Sequence, residues 1–312
     1  MRDQHVVVLG GAGFLGSHLV DRLLADGAAR VTAIDDLSTG RERNLDAASE
    51  DPRFAFIKAD VTLSIPHTGP VHVVFNLASP ASPRDYASRW LETMRAGALG
   101  TQHGLELAAA RDAIFVQAST SEIYGDPLEH PQRETYFGNV DPTSPRAVYD
   151  EAKRFGEALV SAFRRKKKVS TRIARIFNTY GPRMRLDDGR VVPQFIAQAL
   201  RGDDFTVQGD GSQTRCFCFV TDLIDGLVKL ARAEVFEPVN LGNPSEVTVL
   251  ELAEAVRRAA GGGGQLVFSE LPSADPKRRR PDISRAQALL GWSPRVSLSD
   301  GLATTLEAFR AL

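Results

Sequence analysis

The stretch "VLGGAGFLG", residues 8–16, contains two interlocked glycine patterns, Gly11-x-Gly13-x-x-Gly16 and Gly10-x-x-Gly13-x-x-Gly16. An apolar run, HVVVL at 5–9, precedes it and reads as a strand. The residues after it place Phe14, Leu15, Leu19, Val20, Leu23 and Leu24 at helical spacing over 14–25. A strand, a glycine-rich turn and a helix in that order form a phosphate cradle. The glycines permit a tight turn, close approach of backbone to a pyrophosphate, and close packing of helix on sheet. The helix N-terminus then offers N–H donors and positive potential to the phosphates. Asp35 stands 19 residues after Gly16, at the end of the next apolar run. A carboxylate there accepts from both ribose hydroxyls of NAD and repels the 2′-phosphate of NADP. Arg41 and Arg43 nearby keep NADP as a minor option.

Working outward, the alternation continues. Runs rich in Val, Ile and Phe at 30–34, 54–57, 71–75, 113–118 and 169–176 read as strands. Helices are expected over about 86–110 and 145–165. Such alternation predicts a parallel sheet covered on both faces, the doubly wound α/β (Rossmann) architecture. Ligands then bind beyond the carboxyl ends of its strands. After Asn178 the pattern loosens. Helices are expected at 193–200 and 249–260, a glycine run occupies 261–264, and 271–283 reads as extended and basic. The division predicted is a dinucleotide-binding domain over 1–178 and a smaller substrate-binding lobe over 179–312. Residues 215–240 are expected to return to the first domain.

Composition narrows the function classes. A chain of 312 residues can bury a large core, and a net charge of −1 provides no general field for nucleic acid. No stretch approaches the roughly 20 apolar residues of a membrane span, and the N-terminus carries no signal-like segment, so a cytoplasmic protein is expected. Cys216 and Cys218 are the two cysteines. Separated by a single residue, they are poorly placed for a mutual disulfide, and they lack the second ligand pair of a zinc site. They read as small core residues in a reducing compartment, and no metal is expected. The run RRKKK at 164–168 reads as a solvated helix end. His67, His72, His103 and His130 show no usable spacing.

The chemistry-bearing stretch is "STSEIYG" at 119–125, where Thr120, Ser121 and Glu122 follow an apolar strand. Alone it is an ordinary polar strand end. Downstream, "YDEAK" places Tyr149 and Lys153 four residues apart, on one face of a helix. A lysine ammonium and an oxidised nicotinamide both lower a phenol's pKa from about 10, so Tyr149 can act as a base near neutrality.

With these motifs the chain resembles the extended short-chain dehydrogenase/reductase superfamily. "NLASPASP", "STSEIYGDPLEHPQ", "RAVYDEAKR", "ARIFNTYGPRM", "GDGSQTR", "VNLGNP" and "DPKRRRPDI" together look like the UDP-glucuronate decarboxylase (UDP-xylose synthase) group. The likeness runs nearly end to end. The related 4,6-dehydratases typically carry Asp-Glu where this chain has Ser121-Glu122, and the 4-epimerases usually lack the Glu. The resemblance implies NAD-dependent oxidation at C4, loss of CO2 from the resulting β-keto acid, protonation at C5 and re-reduction at C4.

In that reading Thr120 polarises the reacting oxygen beside Tyr149 and Lys153. Ser121 hydrogen-bonds the sugar or its carboxylate, and Glu122 orders the sugar or a water. Further cofactor contacts are implied at Phe14, Leu15, Thr39, Gly40, Asp60, Val61, Leu77, Ala78 and Ser79. Substrate contacts are implied at Tyr86, Asn178, Arg190, Arg215 (toward UDP) and Arg279 (toward the diphosphate or the carboxylate). A Lys and an Asn common in relatives fall at Glu92 and Gly97. The same resemblance implies a homodimer through the two long helices. A 4-epimerase or 4,6-dehydratase on this fold is the alternative, and a non-catalytic NAD-binding regulator would not need Tyr149 with Lys153.

Overall fold

The computed structural model describes residues 1–67, 69–270 and 278–311. Seven strands make one parallel sheet: β1 (His5–Leu9), β2 (Arg30–Asp35), β3 (Phe54–Lys58), β4 (Val73–Asn76), β5 (Ile114–Thr120), β6 (Thr171–Ile176) and a late strand, Val239–Leu241. Four short strands lie between β6 and that seventh one: β7 (Thr179–Tyr180), β8 (Phe205–Gln208), β9 (Thr214–Cys216) and β10 (Cys218–Phe219). The late strand is therefore β11, and the sheet order is β11-β6-β5-β4-β1-β2-β3. Order reverses between β1 and β4, and the crevice of a doubly wound sheet opens there.

Side chains alternate across the sheet. Val6 and Val8 enter one apolar cluster with Leu19, Leu23 and Ile224, while Val7 and Leu9 enter a second with Leu105, Phe115 and Val160. The first face is covered by α1 (Phe14–Ala25). A short helix α2 (Asp46–Ser49) follows β2.

A single helix over 86–110 is expected, and the structure divides it. α3 (Pro83–Ser88) begins earlier, because Pro83 pre-sets the first turn and the Ser82 hydroxyl accepts from the Asp85 N–H. Arg89 leaves helical geometry at φ −132 and ψ 52. α4 (Trp90–Arg95) then runs through a π-helical turn, Ala96–Gly100, into α5 (Thr101–Arg111). The small residues in the turn allow close packing: a Cβ on Gly97 would stand 2.7 Å from Ala152. Ala152 belongs to α6 (Ala147–Lys167), the long helix expected over 145–165.

The later residues both complete the sheet and build over it. α7 (Val191–Arg201) matches the expected helix with one more turn, and α8 (Val220–Arg232) lies against α1, where Arg22 donates to Asp225 at 3.1 Å. β9 pairs antiparallel with β12 (Glu246–Thr248), and β8 pairs with β13 (Leu266–Ser269). α9 (Val249–Ala260) starts in a capping box made by Thr248 and Glu251. α10 (Ser284–Leu290) and α11 (Leu298–Arg310) follow. Trp292 between them donates to the Asp222 carbonyl at 2.9 Å, tying this end of the chain to α8. Cys216 and Cys218 are buried, free thiols. The extended basic segment expected over 271–283 falls outside the described residues at 271–277.

Candidate active site

The glycine turn is built for something flat and close. Gly10 has φ +77, and a Cβ there would lie 2.7 Å from the Ala78 amide. A Cβ on Gly16 would be 2.0 Å from the Gly10 carbonyl, so any side chain would push α1 off the sheet. Gly11 faces β2 instead, where its Cβ would be 2.5 Å from that of Ala33. Gly13 caps α1 with no side-chain acceptor, and the first turn holds no acid. The helix thus presents open N–H groups toward the cleft, a seat for phosphate.

Asp35 is buried at the end of β2. Its Oδ2 accepts from the Ala12 N–H at 3.0 Å and its Oδ1 from the Leu37 N–H at 2.8 Å. Burial pushes its carboxyl above the ordinary value, and these N–H groups oppose that shift. A Cβ on Gly40 would strike this carboxylate at 2.9 Å, so glycine leaves Asp35 its room. Asp35 lines a hollow with Asp60, Val61, Ala78 and Ser79. Glu92 is exposed and lines this same hollow, not the one that holds Tyr149. A second hollow holds Gly10, Gly13, Phe14, Leu15, Gly16, Thr39, Leu77 and Ser79, and continues to Tyr86, Thr120, Ser121, Glu122, Tyr149, Lys153, Asn178 and Arg190. These groups fit a dinucleotide: an uncapped helix end, a side-chain-free turn and a carboxylate one strand over.

Thr120 ends β5, and its hydroxyl accepts from the Glu122 N–H at 3.2 Å, opening a 3₁₀ turn over Ser121–Tyr124. Tyr149 and Lys153 face it from α6. Lys153 Nζ donates to the Ala118 carbonyl at 3.0 Å and lies 5.7 Å from the centre of the Tyr149 ring. Tyr86 stacks on Tyr149 with centroids 5.1 Å apart and planes 12° from parallel. Burial, reinforced by the Glu122 charge, pushes the Tyr149 phenol above its ordinary value, and a hydrogen bond with Thr120 pulls the other way. Burial lowers Lys153 to about 8. The protein alone therefore keeps Tyr149 as a neutral phenol, so the lysine does not suffice to make it a base.

A third hollow adjoins the second through Glu122, Asn178 and Arg190, and adds Arg146, Arg215 and Arg279. Arg190 donates from Nε to Asp188 at 2.8 Å. Arg215, on β9, donates from Nη1 to the Thr214 carbonyl at 2.8 Å. Arg279 is engaged by Glu122: its Nη1 donates to Oε1, because a buried guanidinium needs a counter-charge at hand. The other oxygen, Oε2, accepts from Arg146 Nη2 at 2.6 Å. Burial alone would raise Glu122, but the two guanidinium groups override it and hold the carboxyl at about 2. Glu122 is fixed and ionised, not a free base.

Sequence reasoning missed Arg146, although it stands three and seven residues before Tyr149 and Lys153, at the N-cap of α6. It also missed the Arg185–Asp85 pair at 2.7 Å, which ties the loop after β7 to α3 beside the cleft. Asp150, buried next to Tyr149, is pushed up to about 7 by burial and by Glu122.

Comparisons with known proteins agree with this geometry. Residues 6–242 match the NAD dependent epimerase/dehydratase family. UDP-glucuronic acid decarboxylase 2 of Arabidopsis thaliana is 49% identical over 305 residues, spanning 98% of this chain and 68% of the relative. UDP-glucuronic acid decarboxylase 3 of the same plant is 46% identical over 99% of this chain and 90% of the relative. The Xenopus tropicalis UDP-glucuronic acid decarboxylase 1 is 46% identical over 98% and 72%. Among solved structures, the Thermotoga maritima UDP-glucose 4-epimerase with UDP-glucose superposes with a TM-score of 0.89 at 28% identity, covering 98% of this chain and 99% of that one. The Bacillus cereus UDP-glucuronic acid 4-epimerase, in complex with UDP-glucuronic acid and NAD, gives 0.85 at 28% identity over the same shares. The chain belongs to the NAD dependent epimerase/dehydratase family, and within it to the group of the UDP-glucuronic acid decarboxylases.

Proposed function

We propose that this chain converts UDP-glucuronate to UDP-xylose and CO2 by transient oxidation at C4. The observation that carries the reading is the juxtaposition of Thr120, Tyr149 and Lys153 with buried Arg279 and half-buried Arg146 in the adjoining hollow. The first three suit alcohol oxidation, and the arginines suit an acidic sugar. Ser121 stands where a dehydratase would need an acid.

The glycine turn, the α1 N-terminus, Asp35 and the hollow around Asp60 and Val61 would hold NAD. Hydride acceptance from C4, its return, and a positive charge beside the phenol are what a bound NAD would supply. Tyr149 takes the C4 hydroxyl proton, with Lys153 holding positive charge near the ring. The C4 ketone is β to the C6 carboxylate, so the C5–C6 bond breaks with its electrons moving into an enolate. Thr120 and Tyr149 donate hydrogen bonds to that oxygen, the kind of preorganised pair worth about 3 kcal/mol. C5 then takes a proton, and C4 is re-reduced. Arg215 and Arg190 serve the UDP end, with Tyr86 and Asn178 flanking the sugar. In this reading residues 179–312 mainly carry the substrate, and 215–240 serve the cofactor domain.

Leu91 and Met94 on α4, Leu99 in the π turn and Phe155 on α6 are exposed, and α4 packs on α6. This apolar face is where we place a homodimer contact. No helix among the described residues is long and apolar enough to cross a membrane. Two free buried thiols support a cytoplasmic location.

The test is incubation with UDP-glucuronate and NAD in D2O, with CO2 trapping and mass analysis of the nucleotide sugar. Release of CO2 with UDP-xylose carrying one deuterium is the expected result. UDP-galacturonate without CO2 would make the chain a 4-epimerase instead.

A further inference from the structure

Glu122, Arg146 and Arg279 form a largely enclosed ion triad, with Arg279 its buried member, drawn from three distant segments: the turn after β5, the residue before α6, and the stretch preceding α10. Their side chains are 16%, 26% and 6% exposed. Each carboxylate oxygen is taken by a different arginine, so neither guanidinium spends both of its arms on Glu122. Arg279 also reaches the Gly125 carbonyl at only 3.5 Å, and its buried Nε has no partner among the described residues. Two cations against one anion leave a surplus of one positive charge. Of the nearby groups, Arg190 is matched by Asp188, and Asp150 faces both arginines but supplies only part of a counter-charge, because burial and the Glu122 charge push its carboxyl up. A buried surplus charge is costly unless an anion joins it. Both arginines and Glu122 line the third hollow, and Glu122 also lines the one holding Tyr149. An anionic group of a ligand bound at their junction would meet that surplus on the side of Tyr149.

We propose that Arg146 is the positioning residue by which the site selects a sugar bearing a carboxylate. It acts through Glu122. By occupying Oε2 it neutralises that carboxylate, and so leaves Arg279 with uncommitted charge for the C6 carboxylate of the substrate. Remove Arg146, and Glu122 cancels Arg279 and repels the sugar acid. The inference rests on the decarboxylase reading for the identity of the substrate.

The test compares dissociation constants of UDP-glucuronate, UDP-glucose and UDP for NAD-loaded protein in which Tyr149→Phe stops turnover, alone and combined with R146Q, with R146K and with the double change E122Q/R146Q. In R146Q the preference for UDP-glucuronate over UDP-glucose should fall by about tenfold or more, the scale of one lost charge pair. UDP affinity should hold. R146K should keep part of the preference. E122Q/R146Q should regain it, because removing both charges restores the surplus on Arg279; a purely structural role for Arg146 cannot give that recovery. Equal losses for both sugars, an unchanged preference in R146Q, or no recovery in the double variant would each overturn the proposal. Binding is read without turnover. A wild type that released no CO2 would therefore sink the reaction, while the Arg146 ratio would still be decided on its own.

Discussion

Tyr149 is held between opposing influences. Burial and the Glu122 charge raise its pKa, and the Thr120 hydrogen bond lowers it. Replacing it with Phe removes the acid–base group but keeps the ring against Tyr86. CO2 release should then drop by about 10²–10⁴-fold, the span of general acid–base catalysis, with NAD retention unchanged. Retained turnover would remove Tyr149 from the chemistry. Asp150 gives a second prediction at this scale. Its carboxyl, ordinarily near 3.8, is raised to about 7, so between those values the folded chain binds a proton that the unfolded chain has released. Stability contributed by this group is full at the acid end and is lost as pH rises toward 7. Asp150→Asn should therefore raise the melting temperature relative to wild type more at pH 8 than at pH 5. An equal shift at both would mean that the carboxyl is not titrating in the fold. Tyr149 and Lys153 were legible as neighbours because local helical spacing carries them, whereas Thr120 was expected beside them only through the family resemblance. The Glu122–Arg279 contact was not, since 157 residues separate the partners and only tertiary packing joins them.

Among the elements, α1 and the segment α3–α5 teach opposite lessons. The turn before α1 is written in glycine, and its close approaches explain each one. Gly16→Ala would set a methyl 2.0 Å from the Gly10 carbonyl, and NAD retention should be lost. Bound-nucleotide content of the purified protein measures that; full occupancy would show that the turn can yield. The break at Arg89 and the π turn were not legible, because the apolar pattern continues across them, and the close packing of the π turn is against Ala152 of another helix. Gly97→Ala tests that packing. Its Cβ would meet the Ala152 Cβ and carbonyl oxygen at 2.7 Å, which is backbone and cannot swing aside. A loss of about 1–3 kcal/mol in urea unfolding is expected, as for other overpacked contacts. An unchanged midpoint would mean that α4 and α6 separate freely.

For the molecule as a whole, alternating strands and helices made the parallel sheet readable in advance. The seventh strand was not, because Val239–Leu241 is too short for a periodic signal and is recognised only by its pairing with β6. The proposed dimer belongs to this scale too. Leu91→Glu combined with Phe155→Glu should give a monomer in sedimentation, and a persistent dimer would move the contact elsewhere. The late strand also has a consequence for synthesis. A ribosome that has released residues 1–178 has released six strands and both halves of the glycine cradle, yet the outer rail of β6 stays bare until residue 241 emerges. A nascent chain would carry an open sheet edge for some sixty residues of translation, the arrangement that invites strand-to-strand association. Fragments ending at 178 should aggregate where those ending beyond 241 do not, and this stretch of synthesis is where a chaperone would be most needed.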